Sequence, residues 1–295
     1  MSDSLANLRR KIGSAAELQS VVRTMKALAA SSIGQYEQSV LSLSDYYRTV
    51  ELALGVCFRQ AAAASALPPE AREHAASGIV VFGSDQGLVG QFNDKVTEHA
   101  LETLAELAGN TLVWAVGERV HARLTDAGIT PVGLFGLPGS VQAITPLVWN
   151  ILVHSERQQS LSALHLCYNQ PLAGAGFAPV SQRLLPLDDA WRRRLADRAW
   201  PTRNLPEVIG NRSTTLRALI REYLFVSIFR ACAESLAAEN ASRLAAMQRA
   251  EKNIDSLLET LNGSFHRLRQ DSIDEELFDV ITGFEALSKT PRGRR

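Results

Sequence analysis

The chain has 295 residues, and its 31 Lys and Arg balance 31 Asp and Glu, for a formal net charge of zero. That length allows a large core or two modules, and the neutral balance gives no overall electrostatic attraction toward nucleic acid. Cys57, Cys167 and Cys232 are few, odd in number and far apart, which argues against a disulfide framework or a zinc site.

No stretch reads as a signal peptide or a bilayer span. The expectation is a reducing, cytosol-like compartment, with membrane association only through a partner.

The first proline is Pro68, so the N-terminal stretch is free to be one long helix. It carries a 3-4-3-4 ladder: Leu5, Leu8, Ile12, Ala15, Gln19, Val22, Lys26, Ala29, Ile33, Tyr36, Val40, Leu43, Tyr47, Val50, Leu54, Cys57. Fourteen of these sixteen rungs are apolar or aromatic. A 3.5-residue repeat held this long predicts a coiled-coil seam. A bundle of helices broken at Gly34, Gly55 and Gly263 is the competing layout, but no turn cluster accompanies those glycines.

From Gly78 the period changes. Ile79 to Phe82 reads as a buried strand running into the loop Gly83–Gly90. A helix is predicted from Phe92 to Leu107, a strand over Thr111 to Val116, a helix over Glu118 to Asp126 and a strand over Ile129 to Phe135. An amphipathic helix follows over Val141 to Gln158, then strands over Leu161 to Tyr168 and Ala178 to Leu187. Alternating strands and helices imply a small, mainly parallel sheet covered by helices.

The glycines of the loop, Gly83, Gly87 and Gly90, do not form a dinucleotide fingerprint, and no P-loop Lys follows them. A tight strand-to-helix turn is the simpler reading, with Asp85 as a turn or cap residue. Asp188-Asp189 and the run Arg192-Arg193-Arg194 read as solvated surface.

Arg203 to Gly210 leads into a second proline-free stretch with its own ladder: Leu216, Leu219, Tyr223, Val226, Arg230, Ala233, Ala237, Asn240, Leu244, Met247, Glu251, Ile254, Leu258, Leu261, Phe265, Leu268. It slips by one residue and resumes as Ile273, Leu277, Val280, Phe284, Leu287. Single helices with one apolar stripe are unstable alone, so the two ends are natural antiparallel partners.

The predicted layout is thus a coiled-coil helix over 1–66, an α/β middle over 67–205, a second coiled-coil helix over 206–288, and a basic tail over 289–295. The six histidines show no metal-ligand spacing, and no hydrolase or paired-carboxylate motif appears. No catalytic residue, metal ligand or cofactor site is expected.

Several segments resemble one family. They are Leu8-Arg-Arg-Lys-Ile-Gly-Ser14, Val22-Arg-Thr-Met-Lys-Ala-Leu-Ala-Ala-Ser-Ser32, Ser84-Asp-Gln-Gly-Leu-Val-Gly-Gln-Phe-Asn93, Arg183-Leu-Leu-Pro-Leu187, Ala238-Glu-Asn-Ala-Ser-Arg-Leu-Ala-Ala-Met247 and Arg269-Gln-Asp-Ser-Ile-Asp-Glu-Glu-Leu277. In this order, and with Ile281 to Leu287, they resemble the gamma subunit of F-type ATP synthases over almost the whole chain. Gln86, Val89, Gln91, Lys26 and Asp274 depart from the family's usual Arg, Cys, Gly, acidic residue and Thr. The resemblance is therefore to a divergent gamma, of the kind an alternate F-type ATPase would carry.

The resemblance implies a non-catalytic rotor shaft inside a ring of alpha and beta subunits. An epsilon subunit and a membrane c-ring would sit beside its foot, at the cytoplasmic side of an inner membrane if the source is bacterial. It further implies that Arg23, Met25 and Lys26 face an acidic lever loop of beta, with Arg269 and Gln270 at similar height on the opposing helix. The loop residues Ser84, Asp85, Gly87 and Gly90 belong to the foot. Two readings from other classes stand beside it: a nucleotide-dependent α/β enzyme with helical arms, and a free-standing coiled-coil adaptor.

Overall fold

The computed structural model describes residues 2–62, 76–107, 109–157, 161–172, 176–204 and 206–288. The expected boundary at 66/67 and the basic tail 289–295 lie outside the described residues. Two long helices bound the chain, α1 (Ser2–Ala62) and α6 (Arg212–Ser288). Gly34 and Gly263 interrupt neither. The chain divides into two compact units, one of residues 1–27 with 247–295 and one of residues 28–246.

The larger unit is built on a five-stranded sheet of order β3-β2-β1-β4-β5. Its strands are β1 (Ala76–Phe82), β2 (Thr111–Val116), β3 (Gly133–Phe135), β4 (Leu161–Pro171) and β5 (Phe177–Leu185). The first four are mutually parallel and β5 runs antiparallel to β4. That reversal follows from the short connection between them, closed by Leu172 N–H donating to the Gly176 carbonyl. Only a helical crossover returns a chain parallel.

All seven residues of β1 are buried, as a central parallel strand covered on both faces must be. On one face, Ile79, Val81, Val113 and Ala115 pack on α2 (Phe92–Glu106) and α3 (Glu118–Asp126) through Val96, Ala100, Val120 and Leu124. On the other, Val80, Phe82, Val116 and Leu166 meet α4 (Ile144–Arg157) and the middle of α6, with Tyr36 of α1 joining them.

The third strand is shorter than the predicted Ile129–Phe135. Pro131 offers no N–H, and the Ile129 N–H is spent on the Leu124 carbonyl at the end of α3. The predicted helix over 141–158 opens with a 3-10 turn, Val141–Ala143, before α4 begins.

One helix was not expected. The segment read as solvated surface forms α5 (Asp189–Asp197), whose first turn is capped by Asp188 Oδ1 accepting from the Ala190 N–H at 3.1 Å. Its Leu195 is buried with Val50, Leu54, Phe58 and Tyr223. A Cβ on Gly55 would overlap the Leu195 carbonyl, so this glycine of α1 serves close helix approach rather than a helix break.

In the smaller unit α1 and α6 run antiparallel, joined by Arg23 to Glu251, Lys26 to Glu251 and Gln19 to Asp255. The residue numbers in each pair total 274 to 277. No ladder rung of α1 from Leu5 to Val22 is exposed, and none of α6 from Met247 to Leu268 is.

The ladder beyond its slip behaves differently. Ile273, Leu277, Val280 and Phe284 are exposed, not seam residues as expected. The register supplies the reason, because it sets Ser2, where α1 begins, opposite residues near 273. Beyond that level no described residue of α1 faces α6. The Leu287 side chain lies outside the described ones.

Candidate functional site

Two surfaces carry the residues singled out in the sequence, one in each unit. In the smaller unit the cross-helix ion cluster is centred on Glu251. Its Oε1 accepts from Arg23 Nε at 3.0 Å and its Oε2 from Lys26 Nζ at 2.5 Å. The nearby ammonium of Lys26 and guanidinium of Arg23 hold the Glu251 carboxyl below its ordinary range.

Lys26 and Glu251 both occupy ladder rungs, where an apolar residue would otherwise stand. A polar pair on a seam costs stability but fixes register. Met25 sits beside them, half-buried. Arg23 and Lys26, expected to face a partner loop, share the same carboxylate of α6.

Arg269 and Gln270 are exposed, and they are not at the height of Met25. The register places Glu251 beside Arg23 and Lys26. Arg269 lies eighteen positions beyond Glu251 along α6, ~27 Å at 1.5 Å per residue. Sequence segments from opposite ends of the chain gave no register, and only the ion pairs supply it.

In the larger unit the loop after β1 is filled by its own polar groups. Ser84 is buried, its N–H donates to Asn93 Oδ1 at 2.9 Å, and its Oγ donates to the Gln86 carbonyl at 2.8 Å. Asn93 Nδ2 donates back to Ser84 Oγ at 2.8 Å. Asp85 accepts from the Glu118 N–H with Oδ1 and from the Leu137 N–H with Oδ2, both at 3.0 Å. It thus caps α3, where Gly117 has no side chain to do so, and ties down the segment following β3.

Gly117 itself has φ +113°, and a Cβ there would stand 2.9 Å from the Ser84 backbone. Asp85 is a cap residue, the role read for it from the sequence, and Ser84 is a second fastener of the loop. Among the described residues these contacts leave the loop's carboxylate and hydroxyl already engaged.

The tip of the loop is different. Leu88 adopts φ +63°, a conformation costly for a side chain with a Cβ, and it is 63 % exposed. Gly90 takes φ +60° at no such cost. Between them Val89 is buried against Phe92 and Ala238, and its carbonyl accepts from Ser242 Oγ of α6 at 2.5 Å. The loop is bolted down on both sides of an outward-held leucine.

Sequence reading missed a line of buried charge on α6. Glu234 is bound by Arg230 Nε at 2.7 Å and by Gln170 Nε2 at 3.2 Å. Glu239 is bound by Arg243 Nη2 at 2.7 Å, with only 7 % and 13 % of the two side chains exposed. Burial pushes the Glu239 carboxyl up against the pull of Arg243, and Asp85 adds to the rise. The i, i+4 spacing of Glu before Arg in Glu239/Arg243 was the available signal; nothing in the sequence said that both ends are buried.

The three cysteines are free and buried. Among the described residues no group of His, Cys, Asp and Glu is arranged to hold a metal, and no helix is long and apolar enough to cross a membrane.

With this geometry in view, the likenesses to known proteins are extensive. A family model described as ATP synthase matches residues 4–287. The ATP synthase gamma chain of Anaeromyxobacter sp. (strain Fw109-5) is 26% identical over 306 residues, covering 96% of this chain and 99% of the relative. That of Syntrophus aciditrophicus (strain SB) is 27% identical over 304 residues, covering 97% and 99%.

Among solved structures, a chain from the rotor of the Euglena gracilis mitochondrial ATP synthase superposes with TM-score 0.64 at 16% identity, over 92% of this chain and 100% of that one. A chain from the central stalk and c-ring of the Tetrahymena thermophila mitochondrial ATP synthase gives 0.57 at 18%, over 78% and 99%. At such identities the superpositions speak to the fold.

Proposed function

The chain belongs to the ATP synthase gamma family, and we propose that it works as the central rotor shaft of an F-type ATP synthase or ATPase. It couples ion flow through a membrane c-ring to the conformational cycle of catalytic beta subunits. The observation that carries this reading is the antiparallel α1/α6 pair, with its register locked at Glu251 and an apolar stretch of α6 left uncovered beyond residue 273. A shaft has to be stiff, and it has to present unlike faces to identical neighbours. Two helices with different seams do both.

Turning such a shaft inside an alpha and beta ring changes which residues meet each catalytic subunit. Each orientation then favours one subunit conformation by its differential contact energy. The phosphoryl chemistry belongs to beta, and this chain is non-catalytic. In support, the loop that would have to hold a nucleotide spends Ser84 and Asp85 on its own backbone and on the start of α3.

The contact band for the lever loop of beta comprises Arg23, Met25 and Lys26. Arg269 and Gln270 form a second band further along α6. The ion pairs to Glu251 set the terms of the first contact, because an acidic lever loop has to compete with Glu251 for the same cations.

In this reading residues 1–66 and 206–288 are the shaft helices and 67–205 the foot that meets epsilon and the c-ring. The tail over 289–295 follows the shaft. The membrane link is peripheral, at the cytoplasmic face of the inner membrane in a bacterium.

Co-expression with the alpha and beta subunits tests the proposal. The expected result is a stoichiometric complex that hydrolyses ATP, while the isolated chain neither binds nor hydrolyses it. Saturable one-to-one ATP binding by the isolated chain would favour the nucleotide-enzyme reading, and a chain that stays alone would favour the adaptor.

A further inference from the structure

The segment from Arg183 to Arg203 stands out from a neutral chain. It holds six Arg and three Asp, with no Lys or Glu, for a local charge of +3. Its centre is α5, which is fixed rather than floppy. Asp188 caps it, Leu195 is buried, and Trp191 packs on Tyr223 at 4.8 Å and Phe58 at 6.1 Å between ring centroids. The helix therefore presents Arg192, Arg193 and Arg194, all exposed, from an immobile base.

These arginines are not equivalent. Arg192 is held by Asp189 of its own helix, and Arg198, just past the end, by Glu51 of α1 at 2.9 Å. Arg193 and Arg194 have no carboxylate partner among the described residues, and neither has Arg183 on β5. Arg183 and Arg194 both line a cavity of about 290 Å³ whose walls include Tyr47, Trp191 and Tyr223. Two guanidiniums over an aromatic floor recognise a planar anion through paired N–H donors.

We propose that this cavity and the Arg193/Arg194 face of α5 form a docking site for a carboxylate side chain carried on an acidic loop of a partner protein. The volume is at the lower end for small-molecule sites and suits a single side chain. Asp188 also lines the cavity, so a dianionic phosphate group meets twice the repulsion that a singly charged carboxylate does. A recessed site walled by tyrosine and tryptophan suits a protruding loop, not a flat lipid surface. The proposal rests on the rotor reading, which places partner subunits around the larger unit.

The test uses the complete ATPase complex carrying Arg193→Lys and Arg194→Lys. A lysine amine can be coupled to a touching carboxylate by a water-soluble carbodiimide; an arginine cannot. The expected product joins residue 193 or 194 to an Asp or Glu of another subunit and is absent from the parent complex. Replacing both arginines by Glu should weaken that subunit's retention about tenfold and reduce its dependence on salt.

Coupling only to Asp188, Asp189 or Asp197 of the same chain, or no coupling, overturns the proposal. So does binding of the chain to phosphatidylglycerol vesicles, or saturable binding of inorganic phosphate, that the double Glu variant loses. If the parent chain fails to assemble with alpha and beta, the rotor reading itself fails; an assembled, ATP-hydrolysing complex without the cross-link sinks this inference alone.

Discussion

The two units solve the problem of apolar surface in opposite ways. The larger one closes on itself. Its central strand is wholly buried, its sheet is covered on both faces, and one of its ion pairs, Glu239 with Arg243, is internal. The smaller one stays open. Its seam buries Ala15 and Met247, but most rungs are half-buried, and Ile273, Leu277, Val280 and Phe284 face solvent. A helix pair with uncovered apolar residues is a surface built for a partner, whereas the larger unit packs both faces of its sheet. One chain thus carries a body with a doubly packed sheet and a helix pair whose far apolar residues lie open among the described residues.

The sharpest way to break this contrast is at the buried pair of the larger unit. Arg243→Leu leaves Glu239 as an uncompensated buried carboxylate and is expected to cost ~3–5 kcal/mol in thermal or denaturant unfolding. Without Arg243, burial and the neighbouring Asp85 raise the Glu239 carboxyl further. The folded state then holds a proton that the unfolded chain has already released above about pH 4.3. The loss of stability should therefore grow as pH rises above that value. A pH-independent loss would mean that Glu239 is not titrating in the folded protein.

A smaller effect is expected at the fastened loop. Asn93→Leu removes the acceptor for the Ser84 N–H and the donor to its Oγ. Leaving those buried groups unpaired should cost ~1–3 kcal/mol and quicken amide exchange at Ser84. Unchanged exchange would show that the loop is held by its other contacts, chiefly Asp85 and Ser242.

The smallest stability effect belongs to the open unit. Glu251→Gln removes the charge shared by Arg23 and Lys26, so amide protection in α1 around residue 23 should fall modestly while that of β1 does not change. The Glu251 carboxyl is held low in the folded chain. Its contribution is therefore fully present above the unfolded carboxylate value and lost as pH falls through the folded one. Acidification below about pH 4 should loosen this band in the parent chain, and the Gln variant should lack that transition. A variant as protected as the parent would remove the register role given to Glu251.

Much of this was legible in the sequence because it is periodic. The ladders named the seam, and strand β2 and helix α3 fall where the sequence pattern placed them. The polar rungs Gln19, Lys26 and Glu251 also announced themselves as exceptions, although only the structure pairs them across 225 or more residues of chain. What escaped was set by contacts between distant segments. α5 reads as solvated because its buried Leu195 and half-buried Trp191 stand among three arginines and two aspartates. The uncovered end of α6 has the same ladder as the covered part, and apolar spacing cannot say whether a partner helix reaches that far. The height of Arg269 and Gln270 was misjudged for the same reason: motif order along a chain carries no antiparallel register.

The central claim is that this chain turns while its neighbours do not. The direct measurement fixes an alpha–beta complex containing it to a surface, attaches an optical probe to the chain, and supplies ATP. The account predicts unidirectional rotation of the probe that stops when ATP is withdrawn. Sustained ATP hydrolysis by the complex with the probe stationary would contradict it.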